Sequence, residues 1–420
     1  MLKTDKMQLR AYFAYGIAAI FLCYEMALQT SPSIMIDYLM RDLNINAAQL
    51  GLMAGCYFYS YTLMQIPAGL LFDRFNARTL IAIAILICVS GAFFFGWSEN
   101  VWMAALGRFL MGIGSAFAFI GVLVVATQGF PLRYFAFLVG IAQLLAALGA
   151  LGGEAPLAAL LHHFGWRETI NHLAISGIII AVLVYCIIPA QPISSVPRKN
   201  EINVWQSLKY IFKSTQTWWV GLHAFCTWAP VTVFAALWGV PFFMKLYNIN
   251  NTAAATAIAM IWIGLGIASP LLGWFSDKLG RRRILLSSCS LLGLFSSALI
   301  IYWHHLPLSL TYFLLFCFGI ATAGQILSFA VVRDNNRPQL VATAIGFNNM
   351  AVVAGGAVFQ PLAGYILQSH WDGLVANGIP VYSVGDYTAA LSLVPLSFLV
   401  ALIVSRFFIR ETYCKPKYLI

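Results

Sequence analysis

Long apolar runs recur along the whole chain and leave few residues for a water-soluble surface. Residues 80–95 and 175–188 are two such runs, and a helix needs roughly 20 mostly apolar residues to cross a bilayer. Of the 420 residues, 61% are hydrophobic and only 9% are charged, whereas a soluble domain carries about 25% charged residues. The sequence therefore predicts an all-α membrane protein with about twelve transmembrane helices and short loops.

The longest polar break divides the predicted spans into two groups of six. This break covers residues 191–214 and contains Pro192, Pro197 and Lys199. We therefore expect an N-terminal six-helix bundle in 1–190, a cytoplasmic linker in 191–214 and a C-terminal six-helix bundle in 215–420. The predicted spans are 11–36, 47–71, 79–97, 101–127, 135–160, 171–190, 215–242, 252–274, 284–303, 308–331, 340–367 and 387–405.

Lysine and arginine residues are distributed unevenly between the two sets of loops. With a cytoplasmic N-terminus, twenty of them fall in cytoplasmic segments, and only Arg41, Arg167 and Lys245 fall in the outer loops. Cytoplasmic loops of membrane proteins carry such an excess. We therefore expect both termini to be cytoplasmic in a bacterial-type inner (plasma) membrane. The same rule accounts for the net charge of +10, so this charge does not indicate a nucleic-acid partner.

Two related loops follow the second and the eighth predicted spans. Residues 69–78 read GLLFDRFNAR and residues 273–282 read GWFSDKLGRR, so both fit the pattern G-x-x-x-D-[RK]-x-x-x-R. A repeat at half the chain length is typical of transporters built from two related halves. The loop resembles the signature of the major facilitator superfamily, and the loop positions and the six-plus-six count agree with it. The resemblance implies the major facilitator fold for the whole chain.

In that family this loop ties neighbouring helix ends together on the cytoplasmic side, which implies a gating role here. An aspartate at a helix terminus can accept from free backbone N–H groups, and an arginine can bridge to unpaired carbonyls. Asn76 stands where the second copy has Gly280, and we expect it to keep the turn because Asn tolerates a left-handed backbone. The implied gating residues are Gly69, Asp73, Arg74, Arg78, Gly273, Asp277, Lys278 and Arg281.

Span four matches a further motif of the family, and span five departs from another. Residues 107–114 read GRFLMGIG and resemble the family's Arg-x-x-x-Gly-x-Gly pattern in span four. Antiporters of the family often carry Gly-x-x-x-Gly-Pro-x-x-Gly-Gly in span five, whereas residues 149–156 read GALGGEAP. The missing Gly-Pro pair argues against drug-type efflux by antiport, and the glycines predict close helix packing.

Three charged residues, Glu25, Arg108 and Glu154, lie inside the predicted spans, all in the first half. A charge within the bilayer is costly and indicates a functional site by default. Arginine keeps its charge at physiological pH, and its planar fork matches a carboxylate. Arg108 is therefore the first candidate for a substrate anchor, with Glu25 or Glu154 as its resting partner. Glu25, Glu154 and His223 of span seven are the candidates for proton coupling.

Neutral polar and aromatic residues share helix faces with these charges. Glu25 and Gln29 are one turn apart in span one, as are Tyr57 and Tyr61 in span two. Lipid satisfies no hydrogen bonds, so these faces are expected to turn inward, either toward a cavity or toward another helix. The predicted substrate-binding residues are Arg108, Glu25, Tyr24, Gln29, Tyr57, Tyr61, Gln143, Trp228, Gln325, Asn349 and Gln360.

These features predict a secondary active transporter that works by alternating access and is coupled to protons. We expect a small, polar, carboxylate-bearing solute, such as an amino acid, a short peptide or an organic acid. Residues 24–32 and 108–114 resemble the branch that includes lysosomal dipeptide uniporters, which favours this solute class. Two alternatives stay open, a transporter of a larger organic anion such as a carboxylate siderophore, and a receptor that senses a solute without translocating it.

The sequence contains no motif that indicates an enzyme or a cofactor. It has no Walker loop for ATP, and its eight cysteines include no C-x-x-C pair. Seven of them fall in apolar runs, where small buried side chains are the usual role, so neither a metal nor a disulfide is expected. The expected partners are a small-molecule solute, protons and the lipid bilayer, without nucleic acid, and the chain is expected to be a monomer.

Overall fold

Helices make up nearly all of the structure, a computed structural model that describes residues 2–131, 135–190, 204–337, 340–376 and 379–414. Six helical spans form the first half, and the short helix Ile36–Asp42 joins the first two. Span 1 is Leu2–Thr30 with the 3₁₀ turn Ser31–Ile34, span 2 is Ala47–Arg74, span 3 is Ala77–Gly96 and span 4 is Val101–Gly129. Span 5 begins with the helix Phe135–Gly152, and the next helix, Ala155–Ile187, contains the end of span 5 and the whole of span 6.

A sharp turn at Gly165 separates span 5 from span 6. Its backbone has φ 77° and ψ 167°, a conformation that is essentially restricted to glycine. Residues 155–164 therefore continue span 5, and residues 166–187 form span 6. A second interruption lies within span 5, where Gly153 and Glu154 separate the two helical pieces.

Six further spans form the second half, preceded by the helix Val204–Lys213. In the loop before the last span, strands Val375–Ala376 and Ile379–Pro380 pair antiparallel, with Val375 opposite Pro380. Span 7 is Thr215–Pro230, the π-helix Val231–Trp238 and Gly239–Tyr247; span 8 is Asn251–Leu279; span 9 is Arg282–Tyr302; span 10 is Leu308–Ala323 and Ile326–Asn335; span 11 is Val341–His370; span 12 is Val384–Leu391, Leu393–Ile403 and Val404–Phe408.

The helix count agrees with the prediction of twelve spans. Within the described residues, ten helical segments are long and apolar enough to cross a membrane, and one of them, Leu138–Ile187, contains both span 5 and span 6. Span 2 is not among the ten, although it has 28 residues, since polar residues such as Gln65 interrupt its apolar run. Counting spans 5 and 6 separately and adding span 2 gives twelve spans. The predicted linker lies mostly outside the described residues, so its boundaries stay a prediction.

The glycines of span 5 allow the close packing that the sequence predicts. Gly149 lies against the backbone of Cys23, and Gly153 lies against Ala27 and Thr30, both in span 1. A Cβ atom at either glycine would overlap these atoms, so a larger residue would push span 5 away from span 1. The prediction of close packing is confirmed.

The two halves pack together along spans 2 and 11 and along spans 5 and 8. Hydrogen bonds join them at the end of the molecule that the charge bias predicts to be outer. There, Asn251 Nδ2 donates to the carbonyl of Ile34 at 2.9 Å, and the Ala47 N–H donates to the Tyr382 hydroxyl at 3.0 Å. The halves are therefore in contact on the predicted outer side.

A polar cluster ties together three loops on that side. The Asp42 carboxylate accepts from Trp166 Nε1 and Arg167 Nη1, each at 2.8 Å, and Arg167 also donates to the carbonyl of Ser98. Burial by itself would raise the pKa of Asp42, but hydrogen bonds from Trp166, Arg41 and Arg167 outweigh it, so its pKa lies below the usual range. The turn at Gly165 places Trp166 and Arg167 for these bonds.

Candidate functional site

A cavity lies between the two halves, with a wall formed by spans 1, 2, 4 and 5 of the first half and spans 7, 8, 10 and 11 of the second. The space open to the centres of water molecules is about 60 Å³, and one water molecule needs about 10–15 Å³ by this measure. The cavity thus has room for a small solute. Seven of the eleven predicted substrate-binding residues line it: Glu25, Gln29, Tyr61, Gln143, Trp228, Gln325 and Asn349.

Four aromatic residues of the wall were not among the predicted ones. These residues are Phe58, Phe119, Trp262 and Phe329. Helical spacing could have found Phe58, which is three residues before Tyr61 and on the same face. The sequence repeat could have found Trp262, because 58 and 262 differ by the 204 residues that separate the two related loops.

The wall as a whole follows this internal repeat. Tyr61 and Leu265 also differ by 204 residues, Gln143 and Asn349 differ by 206, and Glu25 and Trp228 differ by 203. Equivalent positions of the two halves thus face the same space from opposite sides. The cavity lies at the pseudo-twofold interface of two repeats, where substrate sites of repeat-built transporters are found.

Tyr57 connects Glu25 to Arg108 behind the wall. Its hydroxyl donates to Glu25 Oε2 at 2.6 Å, and Glu25 is 1% exposed. The guanidinium carbon of Arg108 lies 4.6 Å from the centroid of the Tyr57 ring, within the range of a cation–π contact. One acid in the wall is therefore linked through a tyrosine to one buried cation.

The direct partners of Arg108 are backbone carbonyls. Its Nη1 donates to Leu28 at 2.8 Å and its Nη2 to Gln29 at 3.3 Å. These carbonyls belong to the last turn of the helix Leu2–Thr30, where intrahelical partners are missing and a cation is favoured. The expectation that Glu25 or Glu154 is its resting partner is wrong, because the helix end of span 1 occupies its fork.

The remaining predicted residues lie outside the wall. Gln360 Nε2 donates to the carbonyl of Thr232 in the π-helix at 2.7 Å, and Tyr24 lies against Gly177 of span 6. His223 Nε2 lies 3.2 Å from Ser290 Oγ, so this histidine contacts span 9. Their roles, and that of Arg108, stay predictions.

Glu154 is also outside the wall and is fully buried, with 0% exposed. It occupies the interruption of span 5, and its Oε2 accepts from Ser33 Oγ at 3.1 Å. Ser33 is in the 3₁₀ turn that ends span 1. The two buried acids thus have different surroundings, Glu25 at the cavity and Glu154 near the predicted outer ends of the helices.

One hydrogen bond joins the halves at the edge of the cavity. Asn349 Nδ2, in span 11, donates to Gln65 Oε1, in span 2, at 2.6 Å. Asn349 also lines the cavity. A solute that binds Asn349 would therefore compete with a contact between the halves.

The first of the two related loops has an extended backbone at its centre. Asn76 has φ −67° and ψ 130°, and its side chain accepts from the backbone N–H of Arg78 at 2.9 Å, which caps span 3. Gly280, its counterpart, has φ 65°. The expectation of the same left-handed turn is wrong, because an asparagine side chain can cap the next helix and a glycine cannot. The side chain of Asp73 lies outside the described residues.

The second loop makes a charge cluster around Arg282. Arg282 Nη2 lies 3.5 Å from Asp277 Oδ1, and Arg282 Nε lies 2.9 Å from Asp334 Oδ2. Arg281, the predicted gating residue, is exposed and stands at the N-cap of span 9. The basic residue that pairs with Asp277 is therefore Arg282, the first helical residue.

The other predicted gating side chains stack on aromatic rings or face open space. Arg78 lies 3.8 Å from the ring centroid of Tyr185, and the Nζ of Lys278 lies 5.0 Å from that of Trp274. Arg74 is exposed. Gly69 and Gly273 have open space where a side chain would begin.

Within the described part of the chain, no group of three His, Cys, Asp or Glu residues is placed to hold a metal ion. The cysteines in this part are free thiols.

The sequence profile of the Major Facilitator Superfamily matches residues 16–360 and 225–417, and the chain therefore belongs to that family of membrane transporters. It is 23% identical to the Membrane sensor protein UhpC of Escherichia coli (strain K12), over 94% of this chain and 95% of that protein. It is 22% identical to the Nitrite extrusion protein of Bacillus subtilis (strain 168), over 60% and 62%. It is 21% identical to the chloroplastic Ascorbate transporter of Arabidopsis thaliana, over 87% and 72%.

A solved structure shows the same fold. A bacterial homologue of the human lysosomal transporter Spinster, in an inward-facing and unoccupied conformation, superposes with a TM-score of 0.75 over 95% of this chain and 98% of that one, at 15% identity. The predictions of the family, of the twelve-helix fold with two six-helix bundles, and of an integral membrane transporter rather than an enzyme are confirmed.

Proposed function

We propose that the chain moves a small carboxylate-bearing solute together with a proton by alternating access. The observation that carries this proposal is the chain of contacts from Glu25 through Tyr57 to Arg108. It places one group that can change its charge in the cavity wall and one permanent cation directly behind it.

Charge balance makes the solute and the proton bind together. When Glu25 is ionised, its charge offsets that of Arg108, and a bound anion would meet no net positive charge. When Glu25 is protonated, one positive charge is left beside a cavity of low dielectric constant, where it attracts an anion strongly. Protonation of Glu25 would therefore favour binding of the anionic solute, which is the thermodynamic basis of symport.

The rest of the wall fits a small acid with polar and apolar parts. The side-chain amides of Gln29, Gln143, Gln325 and Asn349 line the cavity and can donate hydrogen bonds to carboxylate oxygens. Several relatives carry names of small anions, among them nitrite, ascorbate and galactarate or D-glucarate. The small volume favours such solutes over a siderophore.

The proposal also includes the orientation of the chain in the membrane and its monomeric state. Both termini are cytoplasmic in a bacterial-type inner membrane, and the working unit is a monomer with bundles 1–190 and 215–420 joined by the 191–214 linker. The distribution of Lys and Arg supports this orientation.

A solute sensor is a second candidate, favoured by the relative from Escherichia coli that is named a membrane sensor and matches 94% of this chain. A sensor would use the same cavity to bind a solute and would not release it on the other side. Binding and translocation therefore have to be measured separately.

The test begins with a thermal-shift screen of the purified protein against amino acids, dipeptides and organic acids, since a ligand of the folded state raises the melting temperature. The best ligand is then offered to proteoliposomes with and without an imposed pH gradient. A transporter concentrates the solute only with the gradient, and a protonophore abolishes this accumulation. Binding without uptake would identify a sensor. A screen in which only neutral or cationic solutes bind would overturn the carboxylate proposal.

A further inference from the structure

The interruption of span 5 holds a buried acid that the central cavity does not use. Glu154 follows the helix Phe135–Gly152, and its own backbone has φ −101° and ψ −110°, which belongs to no regular helix. The helix then restarts at Ala155. A carboxyl group is thus held in a gap of the helix, away from lipid and water.

One oxygen of this carboxyl is satisfied within the first half, and the other is not. Oε2 accepts from Ser33 Oγ at 3.1 Å. Oε1 makes no hydrogen bond with the described residues. A buried polar atom without a partner is costly, so Oε1 has a strong tendency to gain a donor.

A donor from the second half that is close to this carboxyl is the indole of Trp262. The two groups make no hydrogen bond in this structure, and Nε1 of Trp262 has no partner among the described residues. Trp262 is 1% exposed and belongs to span 8, which packs against span 5. A small approach of spans 5 and 8 would satisfy both atoms at once.

Trp262 is also part of the cavity wall, next to the space where the solute would lie. The same side chain therefore lines the solute site and also lies close to Glu154. Glu154 and Ser33 are near the predicted outer ends of their spans, where the halves are already in contact. Alternating access requires these ends to separate, and separation would pull Trp262 away from Glu154.

We infer that Glu154 and Trp262 form a latch between the two halves, which closes the predicted outer side and is positioned by what occupies the cavity. Ser33 orients the carboxyl, and the indole N–H supplies the donor from the opposite half. Both are positioning residues in this role. The inference deepens the alternating-access function proposed above but does not depend on the identity of the solute.

Hydrogen–deuterium exchange of the purified protein, followed by mass spectrometry, tests the latch without any ligand. Trp262→Phe removes the N–H and keeps the ring in the wall. It is expected to increase exchange several-fold in peptides from the ends of spans 1, 5, 7 and 8 that meet on the predicted outer side. The loops on the opposite side are expected to exchange as in the wild type, and gel filtration confirms folding.

A double-mutant cycle separates the latch from general loosening. Glu154→Ala alone is expected to increase exchange as Trp262→Phe does, and the double variant is expected to exceed neither, because both remove one contact. Ser33→Ala gives a smaller increase and replaces Glu154→Ala if that variant does not fold. Trp238→Phe is the matched control, since Trp238 is equally buried and its N–H is also unpaired among the described residues. It is expected to leave outer-end exchange unchanged.

Two results would overturn the latch. One is that Trp262→Phe exchanges at the outer ends as slowly as the wild type. The other is that the increase in exchange in the double variant equals the product of the increases in Trp262→Phe and Glu154→Ala. Neither result bears on solute chemistry, so a failure of the latch and a failure of the carboxylate proposal are distinguishable.

Discussion

The two halves of the protein share a fold and face one cavity, but they treat their buried charges differently. In the first half, Glu25, Arg108 and Glu154 are buried, and each is held by neutral groups rather than by an opposite charge. In the second half, the buried charges Arg282 and Asp334 pair with each other at 2.9 Å near the end of their spans.

This difference separates groups that can change their protonation state from charged pairs that stabilise the fold. A paired buried charge is costly to alter, since loss of one partner leaves the other uncompensated. A carboxyl group held by a hydroxyl keeps a hydrogen bond in either protonation state. The first half is therefore suited to proton coupling, whereas the equivalent wall positions of the second half carry Trp228, Trp262 and Leu265, which shape the cavity.

The largest expected effect is that of Glu25→Gln. We expect this change to abolish proton-driven accumulation in proteoliposomes, while exchange of solute across the membrane persists, because the amide cannot ionise but still accepts from Tyr57. Trp228→Phe, at the equivalent position of the second half, is expected to weaken binding and to keep the response to a pH gradient. If Glu25→Gln still accumulates solute, the coupled proton binds at Glu154 or His223 instead, or a different ion drives transport.

The second effect compares two buried arginines. Arg108→Lys is expected to lower solute affinity about tenfold, or ~1.4 kcal/mol, because an ammonium cannot keep both carbonyl bonds and the stacking on Tyr57. Arg282→Lys is expected to lower the melting temperature by a few degrees without changing affinity. Calorimetric titration measures the solute affinity of both variants, and thermal unfolding measures their melting temperatures. Unchanged affinity in a folded Arg108→Lys would make Arg108 a structural tie of span 1.

The third effect concerns the two related loops. Asp73→Asn is expected to reduce the initial rate of uptake more than Asp277→Asn, as the family resemblance implies, with folded protein still present in the membrane. The Asp277 side chain is 70% exposed and 3.5 Å from Arg282, and such exposed pairs contribute little. Equal rates for wild type and the double variant would exclude a gating role.

The smallest effect is the pH dependence of the loop cluster around Asp42. Its folded pKa lies below the ordinary value, so its contribution to stability is present above an unfolded pKa of about 3.9 and is lost as the pH falls through the lower, folded pKa. Asp42→Asn should therefore lower the melting temperature slightly at pH 7, and the difference should shrink below pH 4. A difference that is constant across this range would mean that shape, not charge, holds the cluster.

The sequence was sufficient for the architecture, because a bilayer imposes its length and polarity on each span separately. Apolar runs, the polar break and the repeated loop each depend on residues close together in the chain. The rarity of charges within spans also singled out Glu25, and helical spacing placed Gln29 beside it in the wall. These predictions needed no knowledge of how the helices pack.

Only the tertiary structure decided which groups meet across the packed helices. Arg108 binds carbonyls of Leu28 and Gln29 about 80 residues away, and carbonyls at a helix end carry no mark in the sequence. The 2.9 Å pairing of Arg282 with Asp334 joins two residues that are 52 positions apart in the chain, and no local pattern marks it. Backbone groups and side-chain directions depend on contacts between distant residues, so local composition determines the spans and packing determines the site.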